Sequence, residues 1–402
     1  MDRKEEMINS LKKQLSLQRQ LVGVASGSGL TAKYAIKGGA DFILALSSGR
    51  YRQMGVSSLA AFLPFSNNND FVMDFASKEL LPLMQDKPLL FGIAATDPTI
   101  HLEQYIRLIK EKGFAGINNY PTVGLIDGAF RIALEENGFT YEKEVEAIKI
   151  ASEMDLLTVA FVFNEQEAIQ MLQAGADIIC IHLGLTTGGM LGAKRLHSLQ
   201  TAKRTVIAID NVCKEYNSEV LKMIYGGPVN NPIDLQFIYD GTDIHGYIGG
   251  SAFERIPAER ILLQVTQSFK ETSNVKFNQS MQQTIEGLKF QYDYISYVKQ
   301  YIAENYPIDI TLNEMAKTLN LSRSYLSTLF KKEVGVTFSE YLIDFRLNRA
   351  GEMMREVEMP LATIAEMVGY TNYAQFSKMF KKRFGVSPTQ YKNKHKHKMT
   401  EQ

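Results

Sequence analysis

The chain reads as an α/β protein: a (β/α)8 barrel followed by an all-α domain with two helix-turn-helix units. Three observations lead there. Over roughly the first 270 of 402 residues, apolar runs bounded by Gly, Asp or Pro alternate with segments of helical period. Residues 321–341, LSRSYLSTLFKKEVGVTFSEY, recur fifty positions later without a gap as TNYAQFSKMFKKRFGVSPTQY. The charge balance also divides: residues 291–402 hold 16 Lys+Arg against 12 Asp+Glu, a net of +4, which leaves −4 on the first 290 residues of a chain with 44 of each sign.

In chain order, the amino-terminal MDRKEEMINSLKKQLSLQRQ lacks the apolar core of a signal peptide, and no segment reaches the roughly 18 apolar residues of a membrane span. A cytoplasmic protein with no membrane partner is expected. Strands are predicted at 21–26, 41–46, 88–94, 114–119, 156–162, 176–182, 219–225 and 244–249. Between them lie HLEQYIRLIKEKG, YEKEVEAIKIASEM, EQEAIQMLQAGA and AERILLQVTQSFK, apolar at helical spacing. Strand alternating with helix argues for a parallel sheet, and eight repeats argue for closure. An open doubly wound sheet is the alternative, but SGSG at 26–29 lacks the dinucleotide spacing.

Glycines gather after the sixth strand (LGLTTGG, 183–189), the seventh (GGP, 226–228) and the eighth (GGS, 249–251). In a barrel of this kind the loops at the carboxyl ends of the strands carry the site, and phosphate commonly binds after strands seven and eight. Glycine lets backbone amides approach an anion closely. The expected ligand site is therefore an anion pocket of Gly226, Gly227, Gly249, Gly250 and Ser251, faced by His182, Thr186, Thr187, Gly188 and Gly189. Arg50 or Arg52, just after strand two, could clamp a carboxylate or phosphate; tight packing of short turns and a surface role for the arginines are the bland alternatives. His182 ends strand six, as a proton-transfer or ligand-contact candidate or as a packed, hydrogen-bonded histidine. Asp97 is the one acidic residue seen at a strand end, and the turn TDP gives it a helix-initiating role, so neither metal nor cofactor is expected. Cys180 and Cys213 are too few and too scattered for a disulfide framework or a zinc site.

Residues 271–290 read as a polar linker and 291–396 as the helical domain. Each copy of the repeat has a short helix before it, TLNEMAKTLN and LATIAEMVGY, and then a helix with Leu326, Leu329 and Phe330, or Phe376, Met379 and Phe380, on one face. TFSEYLIDFRLNRAGEMMRE joins the copies, with Pro360 expected at the first position of the next helix. At 1.5 Å per residue such a strut spans roughly 30 Å, near the roughly 34 Å between successive major grooves on one face of B-DNA. The face opposite the core carries Ser324, Ser327, Thr328 and Lys331 in the first copy, and Ala374, Ser377, Lys378 and Lys381 in the second. From Met367 to Thr400 there are eight Lys or Arg and no acidic residue, which favours phosphate contact over a solvated basic face.

Residues 292 to about 395, through FKKEVG and FKKRFGVSPTQY, resemble the DNA-binding domain of the AraC family of bacterial transcription regulators. Tyr370 and Lys392 stand where that family often has phenylalanine and arginine. The resemblance implies base reading by Ser324, Ser327, Thr328, Ala374, Ser377 and Lys378. Arg323, Lys331, Lys332, Lys381 and Lys382 suit phosphate clamping, which positions without specifying. GINNYPTVGLIDGAFRIALEENGFTYEKEVE, AGADIICIHLGLTTGG and GGPVNNPIDLQFIYDGTDIHGYIGGSAFERIPAE resemble the phosphoenolpyruvate-hydrolase-like TIM-barrel proteins, over about residues 15–270. That resemblance implies phosphoenolpyruvate-like or small 2-oxo acid ligands. The expected partners are double-stranded DNA, a small anionic metabolite and, through the barrel, a second copy of the chain. The expected function is a regulator with a ligand-sensing barrel; a barrel that is an active enzyme is the alternative.

Overall fold

The computed structural model describes residues 3–84, 86–193, 198–271, 294–319, 321–356 and 359–396. They fall into two compact units. The expected linker at 271–290 lies outside the described residues, apart from its first residue.

The first unit is built on a closed barrel of eight parallel strands in sequence order: β1 (Leu21–Ser26), β2 (Phe42–Ala45), β3 (Leu89–Gly92), β4 (Gly116–Asn118), β5 (Leu157–Val162), β6 (Ile178–His182), β7 (Leu221–Tyr225) and β8 (Gly246–Gly249). Closure is direct: Leu21 pairs with Gly246 and Val24 with Gly249, which rules out the open sheet. All eight sit where the apolar runs are, trimmed at the ends. The aspartates that bound two of those runs tie the start of one strand to its neighbour. Asp41 accepts the Val22 amide at 2.9 Å, and Asp177 accepts the Thr158 amide at 2.9 Å.

Alternation sorts the side chains. Leu44, Leu90, Val159, Phe161, Cys180, Met223, Tyr225 and Ile248 fill the interior, while Ile43, Phe91, Ile117, Ala160 and Ile181 are buried on the outer face. Cys180 is a free, buried cysteine in the interior. The amino-terminal segment is a helix, Arg3–Ser16, that adds Leu11 to the barrel core, with Met7, Ile8 and Leu15 packed beside it. Its polar sequence gave no hint of that role, because only a narrow stripe is apolar.

The second unit carries the repeat. Its first copy comprises helices Leu312–Thr318 and Arg323–Val334, its second Leu361–Met367 and Tyr373–Phe384, and helix Phe338–Glu356 runs between them. The duplication is geometric as well as sequential. Phe330 and Tyr341 meet edge to face at 5.5 Å and 75°; their counterparts Phe380 and Tyr391 do so at 5.3 Å and 79°. Gly335 and Gly385 end the two longer helices at φ 85° and 76°, a left-handed cap that suits glycine. Pro360 does not occupy the first helical position as expected; it sits one residue earlier, as the N-cap, with φ −57° and ψ 140°.

Candidate functional site at the barrel mouth and candidate nucleic-acid interface

The strand ends and following loops enclose a cavity of about 140 Å³, lined by Ser48, Ser57, Ser58, Tyr120, His182, Thr186, Tyr225, Ser251 and Arg255, with Leu59, Leu125, Leu185 and Leu191 completing the wall. Beneath it lies Arg52. Its side chain is 1% exposed and pairs at 2.8 Å with Glu254, which is 0% exposed. Arg52 also donates to the Ala25 carbonyl at 2.8 Å, to Ser58 Oγ at 3.3 Å and to Ser48 Oγ at 3.4 Å. Glu254 in turn accepts the Gly27 amide at 2.8 Å and Ser26 Oγ at 3.3 Å. One buried pair thus joins the ends of β1, β2 and β8. Removing either partner alone would leave a buried charge uncompensated, at a cost of about 3–5 kcal/mol.

His182 stacks on Tyr225 at 4.7 Å and contacts Phe163 and Phe161 at 5.0 and 5.3 Å. Its Nδ1 accepts the Gly184 amide at 3.1 Å, which leaves the ring proton on Nε2. Burial pulls its pKa down to about 3. The side chain is therefore neutral and a weak base near neutral pH, which favours the packed, hydrogen-bonded reading over proton transfer. Burial raises the phenol pKa values of Tyr120 and Tyr225, so both remain hydroxyls.

The expected ligand residues divide. His182, Thr186 and Ser251 line the cavity. Thr187 instead locks two loops together: its amide donates to the Gly227 carbonyl at 3.0 Å, and its own carbonyl accepts from Asn230 at 3.1 Å. The Gly227 amide is spent on the Gly184 carbonyl at 2.9 Å, so the turn at Gly226–Gly227 serves loop packing. Gly188 and Gly189 turn at φ 86° and 70°, and Gly189 passes close to the side chains of Arg255 and Glu259. Gly249 packs under the rings of Phe253 and Tyr247. A Cβ on Gly250 would fall 2.6 Å from Tyr225 Oη and 2.8 Å from Arg52 Nη2. Arg50, the expected anion clamp, pairs with Glu79 at 3.0 Å and donates to the Gly27 carbonyl, away from the cavity. Arg255 lines the cavity but pairs with Glu259 at 3.1 Å. Two features stand against the expected anion pocket: the Gly227 amide assigned to it is already bonded, and each guanidinium described near it already faces a carboxylate. Asp97 is held by Asn67, Asn69 and Thr99, its carboxylate accepting the Thr99 amide at 2.9 Å in a tight turn.

In the second unit, helix Arg323–Val334 buries Leu326, Phe330 and Val334 and exposes Arg323, Ser324, Ser327, Thr328, Lys331 and Lys332. Helix Tyr373–Phe384 buries Phe376 and Phe380 and exposes Ala374, Lys378, Lys381 and Lys382, with Ser377 half-buried. Both N-caps are made by the side chain before the helix: Ser322 accepts the Tyr325 amide and Asn372 the Gln375 amide. Tyr325 and Tyr373, 53% and 39% exposed, and Gln375, also exposed, share these surfaces and stand beyond the residues expected there. Helix Tyr373–Phe384 has four cations and no carboxylate, and Arg383 pairs with Asp344 at 3.2 Å.

The family model for phosphoenolpyruvate hydrolase-like proteins matches residues 6–272, about two thirds of the chain. The chain belongs to the phosphoenolpyruvate hydrolase-like family. A second model, a helix-turn-helix domain, matches residues 315–394, the AraC-type part. Among curated relatives, the ToMV susceptible protein tm-1(GCR26) of Solanum lycopersicum is 39% identical over 268 residues, 66% of this chain and 35% of that protein. The Msm operon regulatory protein of Streptococcus mutans is 35% identical over 99 residues, 25% of this chain and 36% of that protein. The lactose operon transcription activator of Staphylococcus xylosus is 34% identical over 99 residues, 25% of this chain and 36% of that protein. The chain thus spans little more than a third of each of these relatives. In this phosphoenolpyruvate hydrolase-like barrel the residues missed from sequence are Ser48, Ser57, Ser58, Tyr120, Tyr225 and Arg255; only the last had a signal, five positions beyond Gly250.

Proposed function

We propose that this chain is a sequence-specific DNA-binding transcription regulator whose barrel takes a small metabolite. The observation that carries the first half is the doubled recognition helix: two units with the same ring pair and the same glycine cap each present a polar or basic face opposite a buried one. The relatives named for operon regulation agree with it. Within those faces, Ser324, Ser327, Thr328, Ala374, Ser377 and Lys378 read bases, and Arg323, Lys331, Lys332, Lys381 and Lys382 hold phosphates. The barrel cavity, walled by hydroxyls and rings, supports the second half.

The test separates reading from clamping. Lys378→Ala should relax base preference, because lysine on the groove face suits guanine. Lys382→Ala should weaken every sequence alike and lower the slope of log K against log salt by about one charge equivalent. Titrations of a selected operator and of random DNA at several salt concentrations give both quantities. Equal losses on the two DNAs for Lys378→Ala would remove it from the base-reading set.

A further inference from the structure

We propose that the barrel mouth takes an uncharged, ring-sized molecule bearing hydroxyl or carbonyl oxygens, recognised through a layer of hydroxyl groups. The inference deepens the small-molecule reading of the barrel and rests on it. Size is the first constraint. A cavity of about 140 Å³ compares with the roughly 150 Å³ engineered cavity that accepts benzene, so it has room for one six-membered ring.

Charge is the second. Arg255 is the only cation on the described wall, and Glu259 already faces it at 3.1 Å. Arg52 lies behind the wall and is matched by Glu254. The residue before helix Arg255–Glu271 is Glu254, whose carboxylate holds the Gly27 amide at 2.8 Å as well as Arg52. Lys194 and Arg195 follow Ala193 in the chain and lie outside the described residues. An anion entering the described wall would lose its hydration without meeting an uncompensated charge, which is costly.

Hydrogen-bond direction is the third constraint. Ser58 accepts from Arg52 at 3.3 Å and so has its own proton left to donate, while Ser48, which accepts from Arg52 at 3.4 Å, also faces the Tyr120 hydroxyl. Thr186 and Ser251, 8% and 6% exposed, add hydroxyls that can donate or accept. The His182–Tyr225 stack supplies a flat wall against which a ring can lie. Oriented hydroxyls around a ring-sized space fit neutral oxygens on a ring.

Calorimetry of the full chain with matched pairs differing in one charged group decides the matter: catechol against 3,4-dihydroxybenzoate, and myo-inositol against inositol 1-phosphate. The pairs also separate an aromatic from a saturated source of the same oxygens. One neutral ring should bind, its charged counterpart at least about tenfold more weakly. Thr186→Val and Ser251→Ala should each weaken the neutral ring about tenfold, and Glu259→Gln, which leaves Arg255 unmatched, should narrow the gap between neutral and charged partners. Tighter binding of a charged member, or no binding of either neutral ring, overturns the inference. A charged member that binds and is lost in Ser251→Ala keeps the barrel as a ligand site, so that failure is distinct from failure of the sensor reading. DNA affinity on the same preparations tests the regulator reading independently.

Discussion

At the scale of single residues, His182 carries a signed consequence. Its pKa, near 3 in the fold against about 6.5 when unfolded, means that the unfolded chain binds more protons between those values. Stability contributed by the neutral ring is thus present above pH 6.5 and is lost as pH falls, by up to about 1.4 kcal/mol per unit. Urea unfolding of parent and His182→Gln at about pH 7 and pH 5.5 should show a smaller acid loss in the variant; equal losses would mean that His182 is not buried neutral. The arginines show where sequence stopped. Arg50 and Arg52 are two apart on one helix and so point about 200° apart, and the side that faces the barrel is fixed by Glu254, 202 positions away. No local pattern encodes that partner. Ser48 and Tyr120 are illegible for the same reason, whereas Thr186 and Ser251 fall in the glycine-rich loops that the sequence marks.

At the scale of elements, sequence says more, because local physics decides more. Apolar runs closed by glycine and aspartate located every strand, since a parallel barrel strand is buried on both faces. Helix starts were also encoded locally. Thr311 with Glu314, Thr337 with Glu340 and Ser387 with Gln390 make three reciprocal capping boxes in the second unit. The Thr337 hydrogen bonds hold Glu340 below the usual carboxylate range. The two cap glycines yield a prediction. A Cβ on Gly385 would touch nothing within 4 Å, so Gly385→Ala isolates the left-handed backbone cost of about 1–2 kcal/mol. Hydrogen exchange should then run roughly 5–30 times faster across helix Tyr373–Phe384. Unchanged protection would place the helix end elsewhere.

At the scale of the whole molecule, the claim is that one chain reads two half-sites. Helix Phe338–Glu356 has 19 residues, about 28 Å of rise, with the first copy of the repeat seated through Tyr341 and Phe345 and the second through Leu347, Ala350 and Met354. The two seats interleave just before Arg346, where Ile343 packs against the second copy's cluster and Asp344 pairs with Arg383, and the Arg346 guanidinium donates to the Tyr306 and Ile308 carbonyls at 2.7 Å each. Two alanines inserted after Arg346 would turn one recognition helix by about 200° relative to the other, at the cost of the Ile343 and Asp344 contacts with the second copy. Hydroxyl-radical footprinting of a selected operator, with parent and insertion variant at matched helical content, tests the claim most directly. The parent should protect two patches on one face about one helical turn, some 10 base pairs, apart, and the variant only one. A variant that protects both patches as the parent does, or a parent that protects a single patch, would contradict the two-groove model.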